Sequence, residues 1–192
     1  MIGSHNSMTY LRATSRLWNL LSPWWRCQER TLADQIADGV RWFDLRVTFD
    51  ATTGRWHWAH GHVDLGIADV IQALDIIGEC GGTCRIMLEH GSTADEHDFL
   101  RTFCASSFLM SYPQVTAVAR KCNWCVYFSR EHRGIIDRSF VPYHRNRPWW
   151  RQLRTIIAFP FTTIRKQASC MRPTQEEADD TKNYYVYDYA HL

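Results

Sequence analysis

Residues 40–49 read VRWFDLRVTF. β-Branched and aromatic side chains dominate, the composition of a β-strand, and within it stand two charged residues, Asp44 and Arg46. Just upstream, residues 31–38 follow a helical pattern that stops at Gly39, a natural C-terminal cap. Downstream, residues 55–60, 84–89 (CRIMLE), 124–129 (WCVYFS), 155–161 and 184–189 (YYVYDY) have strand character too. Helical patterns lie between them. Ile67, Val70, Ile71 and Leu74 recur at i, i+3, i+4 and i+7, and residues 93–108 begin with Thr93, Asp95 and Glu96. Strands alternating with helices predict a mainly parallel sheet covered by helices.

Charged residues at the strand ends decide between an open sheet and a closed barrel. His5 follows the first strand, Asp44 and Arg46 lie in the second, and His60 ends the third. Glu89 ends the fourth, Arg130 follows the fifth, and Asp188 falls in the last. One charged strand end is ordinarily just solvated. Parallel strands, however, set all their C-termini on one face, and in a (β/α)8 barrel that face carries the active site. Two imidazoles, carboxylates and a guanidinium in one basin suit phosphodiester chemistry. One imidazole takes a proton from an attacking hydroxyl and the other supplies one to the leaving oxygen. A guanidinium matches phosphate oxygens bidentately and stabilises their developing charge.

Composition bounds the class. The chain has 192 residues, 45% of them apolar and 22% charged, which suits one globular domain. A net charge of +2 gives no reason to expect a nucleic-acid partner. No basic region followed by an apolar run marks a signal peptide, and no stretch reaches the ~18–20 apolar residues of a membrane span. The expected location is cytoplasmic, peripheral to membranes. Nine tryptophans are many for this length. Residues 17–25 (LWNLLSPWW) follow the first strand, so Trp18, Trp24 and Trp25 are candidates for membrane docking, with packing on the barrel wall as the alternative. Seven cysteines without a secretory signal point to free thiols. Cys80, Cys84, Cys122 and Cys125 are spaced unlike a standard zinc finger, and buried thiols are the preferred reading.

Three stretches carry a resemblance: residues 4–10 (SHNSMTY), 39–46 (GVRWFDLR) and 59–61 (AHG). They resemble the motifs of the phosphatidylinositol-specific phospholipase C X domain, most of all the eukaryotic and viral X-domain-only proteins. Gln35 and residues 25–28 (WRCQ) fit the same pattern, with weaker matches at residues 124–131, 141–150 and 187–189. The resemblance implies one catalytic domain over residues 1–192 with a TIM-type (β/α)8 barrel. Such barrels run to ~200–250 residues, and residues 165–183 hold too little for a helix and a full strand, so the barrel is expected to be reduced or incomplete in its second half. The first strand candidate starts at residue 2, so the chain is expected to open directly on its catalytic strand.

The implied activity is cleavage of phosphatidylinositol to diacylglycerol and a phosphoinositol through a cyclic phosphate. By the same resemblance His5 is the general base, His60 the general acid and Asp188 the partner orienting His5. Arg46 holds the phosphate with Asp44 beside it, while Asn6, Glu89 and Arg130 contact substrate. The partner is thus a phosphoinositide lipid at a membrane surface, met by a monomer. Arg46 stands where calcium-dependent members carry a carboxylate, so no cofactor is expected. Were calcium bound, Asn6, Asp44 and Glu89 would be its ligands. Competing readings are a non-catalytic descendant that binds lipid or protein, a sibling magnesium phosphodiesterase whose acid cage Arg46 disrupts, and a zinc-binding module on the cysteine pairs.

Overall fold

The computed structural model describes residues 1–89, 98–99, 101–103, 115–120, 123–128, 134–139, 149–150 and 172–190. Among the described residues nine strands form one sheet. Its centre is parallel and runs β5 (Thr83–Leu88), β2 (Val40–Asp50), β1 (Ile2–Ser4), β9 (Asn183–Tyr187), β8 (Gly134–Asp137). This is the expected parallel sheet, curled into a half barrel. Among the described residues β8 bounds one end, and β6 (Val115–Arg120) bounds the other. No described helix is long and apolar enough to cross a membrane.

Two expected parallel strands are antiparallel instead. β3 (Arg55–His60) folds back on β2, pairing Val47 with Trp58 and Asp50 with Arg55, and continues into β4 (Val63–Ile67). β7 (Asn123–Phe128) runs antiparallel to β5 and forms a hairpin with β6. For the β2–β3 and β6–β7 pairs the reason lies in the connections. A parallel pair needs a crossover of a dozen or more residues, whereas only residues 51–54 separate β2 from β3, and only 121–122 separate β6 from β7.

Helices cover the convex face. α1 (Arg16–Leu20) and α2 (Ser22–Trp25) follow β1. α3 (Leu32–Ala37) bears a reciprocal cap in which Thr31 and Asp34 satisfy each other's backbone N–H, and Gly39 follows it at φ +90°. α4 (Val70–Glu79) starts where the Asp69 carboxylate accepts from Gln72 N–H. Ile67, expected in this helix, therefore ends β4 and is 59% exposed, and the buried face is Val70, Ala73, Leu74 and Ile77. Residues 165–183, expected to hold too little for a helix and a full strand, include the one-turn α5 (Gln175–Asp179). Of the 93–108 helix, residues 98–99 and 101–103 are described and helical, with Phe99 and Phe103 buried against Trp56. The strand expected at 155–161 lies outside the described residues.

Alternation along the strands separates core from site. On β2, Phe43, Leu45 and Val47 face the helices and are fully buried. Trp42, Asp44 and Arg46 face the other way. Paired residues share a face, so the register Gly3–Trp42, Asp44–Arg85 and Arg46–Met87 sets Gly3, Arg85 and Met87 inside as well. Tyr184 and Val186 of β9 pack there against Trp42. The next inward residues beyond the strand ends are His5, Glu89 and Asp188.

Candidate active site

His5 and Asp188 are brought together by strand pairing alone. Ser4 is in register with Tyr187, so the residues that follow sit side by side, and His5 Nδ1 lies 2.7 Å from Asp188 Oδ1. Gln28, 2% exposed, clamps the corner: its side-chain NH2 donates to the carbonyls of His5 (3.0 Å) and Tyr187 (2.9 Å), and its Oε1 accepts from Ala190 N–H. Gln35 does the same for Ser7, donating to its carbonyl at 2.9 Å. Asn6 sits at φ +42°, a left-handed position that Asn tolerates better than most residues. Its N–H donates to Asp44 Oδ2 and its side-chain NH2 to the Ala59 carbonyl, leaving the buried Oδ1 without a partner.

Asp44, with no exposed surface, receives two guanidinium groups. Arg46 Nε donates to Oδ2 at 2.9 Å, and Arg85 donates to Oδ1 through Nε (3.0 Å) and Nη2 (2.8 Å). Burial opposes the charge, but the two arginines outweigh it and hold the carboxyl well below the ordinary range. Arg85 also lies over the Trp42 ring, 5.4 Å from its centroid. Arg46 continues outward: Nη1 donates to both oxygens of Glu89 at 3.1 Å, and Nη2 lies 2.6 Å from His5 Nε2.

That last contact assigns the tautomer of His5. A guanidinium has no acceptor, so His5 Nε2 accepts, and Nδ1 carries the hydrogen that it donates to Asp188. In this tautomer Nε2 is turned into the basin, and the other side of the ring is braced by a carboxylate.

His60 arrives by a different route from the one expected. It ends the antiparallel return strand β3, not a parallel strand, and the turn at Gly61 (φ +55°) is held by Gly61 N–H donating to Glu89 at 2.8 Å. Its ring meets that of His5 edge-on, centroids 6.3 Å apart, and the ring of Trp25 at 6.5 Å. Burial above all, with the Arg46 guanidinium adding to it, pushes His60 down to about 4. Glu89 opposes this only in part. Between about pH 4 and 6.5 the unfolded chain binds a proton that folded His60 refuses, so stability should rise with pH across this window. We expect acidification from pH 7 to 4.5 to cost on the order of 1–3 kcal/mol in urea unfolding, and His60→Gln to flatten the dependence. An equal loss in both proteins would assign the effect elsewhere.

The structure therefore gathers His5, Asn6, Asp44, Arg46, His60, Glu89 and Asp188 in one basin. Arg130 lies outside the described residues. Arg85 was missed, although it shares strand parity with Glu89 and could have been found by counting in twos. The tryptophans divide differently from expectation. Trp25 is buried (6% exposed), donating to the Trp18 carbonyl at 2.6 Å, while Trp18 and Trp24 are half-buried. The exposed apolar groups of this segment are Leu17 (62%) and Leu20 (75%). Cys84 is buried in β5 and Cys80 donates to the Ile77 carbonyl, so these two form no shared site among the described residues.

No protein-family model matches the chain, and no curated relative does. Among solved structures, the phosphatidylinositol-specific phospholipase C from Listeria monocytogenes matches at 13% identity, with a TM-score of 0.60, over 100% of this chain and 88% of that one. At that identity the likeness is one of fold. It is a likeness to a bacterial enzyme and lends no support to the eukaryotic and viral X-domain-only group.

Proposed function

We propose that the chain is a phosphodiesterase that cleaves phosphatidylinositol to diacylglycerol and an inositol cyclic phosphate. The observation that carries this reading is the His5 arrangement: Nδ1 donating to Asp188 at 2.7 Å, Nε2 unprotonated and facing the basin, and a second histidine across from it. Each nitrogen of Arg46 already has a partner, so substrate must exchange with one. The inositol 2-hydroxyl takes the place of Arg46 as donor to His5 Nε2, which frees Nη2 for a phosphate oxygen. His5 then accepts the hydroxyl proton as the oxygen attacks phosphorus, and His60 supplies a proton to the departing diacylglycerol oxygen. The phosphate anion between His60 and Arg46 offsets the Arg46 charge and stabilises the protonated imidazole that burial disfavours at rest. In the second step water attacks the cyclic phosphate, with the roles of the two histidines reversed.

The reading needs no metal. Asp44 and Glu89, two of the three groups that would ligate calcium, both accept from the Arg46 guanidinium between them. A divalent cation there would meet a fixed positive charge and a donor set already consumed. The test is incubation with phosphatidylinositol vesicles, with and without EGTA, following diacylglycerol and cyclic phosphate. Product formation in chelator supports the proposal. Vesicle binding without product would favour the non-catalytic lipid binder, in which Glu89 keeps Arg46 capped.

The lipid-facing surface of this reading is the two exposed leucines of α1 rather than the tryptophans. Leu17 and Leu20 project from the segment that follows β1, and burying a leucine gains about 1.5–3 kcal/mol. Leu17→Ser with Leu20→Ser should weaken vesicle binding by about tenfold or more while leaving the melting temperature in place. Unchanged binding would remove α1 from the docking surface.

A further inference from the structure

Cys27 lies on the floor of the basin, 1% exposed, and the phosphodiester mechanism leaves it without a role. Its Sγ is 4.0 Å from His60 Nε2. A ring nitrogen of His5, the Cys27 sulfur and an Asp188 oxygen all lie within 4.8 Å of one another, the only such buried grouping among the described residues. We propose that His5, Cys27, Asp188 and His60 form a zinc site that switches the histidine pair off.

The donor set fits zinc in number and kind. Two imidazoles, a thiolate and a carboxylate make a four-coordinate set of the type that zinc takes and that calcium and magnesium do not. A point central to three atoms no more than 4.8 Å apart lies within about 2.8 Å of each, against zinc bond lengths of about 2.0–2.3 Å. Movements of under an ångström would bring these three onto the ion, and His60, its Nε2 4.0 Å from the sulfur, would swing in as the fourth donor. The charges of one thiolate and one carboxylate cancel that of the ion. Cys27 is enclosed (1% exposed), and zinc would take its sulfur as the thiolate, releasing the thiol proton.

Zinc and the resting base exclude each other. Zinc inserted between His5 and Asp188 takes the Nδ1 position and moves the ring hydrogen to Nε2. That nitrogen then faces the Arg46 guanidinium, which can only donate, and the contact breaks. The site stands on the side chains alone. Only its effect on turnover rests on the phospholipase reading.

Cobalt, a spectroscopic stand-in for zinc, separates the two. Titrating the whole chain with Co²⁺ should give one equivalent with thiolate-to-cobalt charge-transfer absorption, lost on adding Zn²⁺. Cys27→Ala should abolish the band, and Asp188→Asn and His60→Gln should each weaken binding by at least about tenfold. Absence of the charge-transfer band, or its survival in Cys27→Ala, overturns the site. Should Cys27→Ala fail to fold, unchanged affinity in both other variants overturns it as well. Zn²⁺ should then inhibit phosphatidylinositol cleavage over the concentration range in which it displaces cobalt. A bound ion with full activity would overturn the switch. A cobalt band in a chain that never cleaves phosphatidylinositol would instead sustain the site and sink the phospholipase reading.

Discussion

Replacing His5 with alanine is expected to lower turnover of phosphatidylinositol by ~10²–10⁴-fold, and His60→Ala by a similar factor. His5 is the one base in the basin with both a carboxylate brace and an unprotonated nitrogen toward substrate. Its loss also leaves Arg46 Nη2 held by Asp44 alone, so the phosphate loses an oriented contact as well as a base. His60 stands on the return strand, apart from the buried sheet centre, and its removal should spare the fold. The double variant should fall little further than either single one, because base and acid act in one proton-transfer sequence. Assays at matched substrate, beside thermal melts of each variant, test this. Near-normal cleavage by a folded single variant would remove that histidine from the mechanism.

Asp44→Asn should destabilise the fold by about 3–5 kcal/mol, the cost of breaking a buried charge set by removing one partner. Asp44 is wholly enclosed and is the carboxylate shared by Arg46 and Arg85. An amide keeps the shape and one acceptor oxygen but leaves two guanidinium groups facing each other across it. Arg85→Met on the same background should recover part of the loss, since it removes one of the stranded charges and keeps apolar cover for Trp42. Urea unfolding of the single and double variants reads both effects. A loss under 1 kcal/mol for Asp44→Asn would mean that the arginines find other partners. Because the Asp44 carboxyl is depressed in the folded state, its stabilisation is complete above the unfolded carboxylate range near 4 and is lost as pH falls below it. The wild-type chain should therefore lose stability further below pH 4, beyond the window of His60, and Asp44→Asn should not.

How much of this was legible in the chain follows from what local patterns carry. Parity along residues 40–49 puts Asp44 and Arg46 on one face of a strand, and the same count along 84–89 puts Arg85 with Glu89. Thr31, Asp34 and Gly39 mark both ends of α3 without any tertiary contact. These are short-range facts, set by backbone geometry and the period of a strand or a helix. Which strands pair, and in which direction, is not written in that period. His5 and Asp188 are 183 residues apart and meet because β1 and β9 are neighbours. The strand bearing His60 is legible in residues 55–60, and its reversal is set by the four-residue link from β2, too short for a parallel crossover. Trp25 carried two local readings, interfacial ring or packed ring, and the packing of α2 against His60 chose the second. The position of Cys27 among two histidines and a carboxylate had no local signal at all. Sequence alone determined which residues of β2 and β5 share a face and, to within a residue or so, where β2, β3, β5 and α3 stop and start. Only the tertiary structure decided which inward faces meet, because pairing depends on contacts that pay their loop-closure entropy across the whole chain.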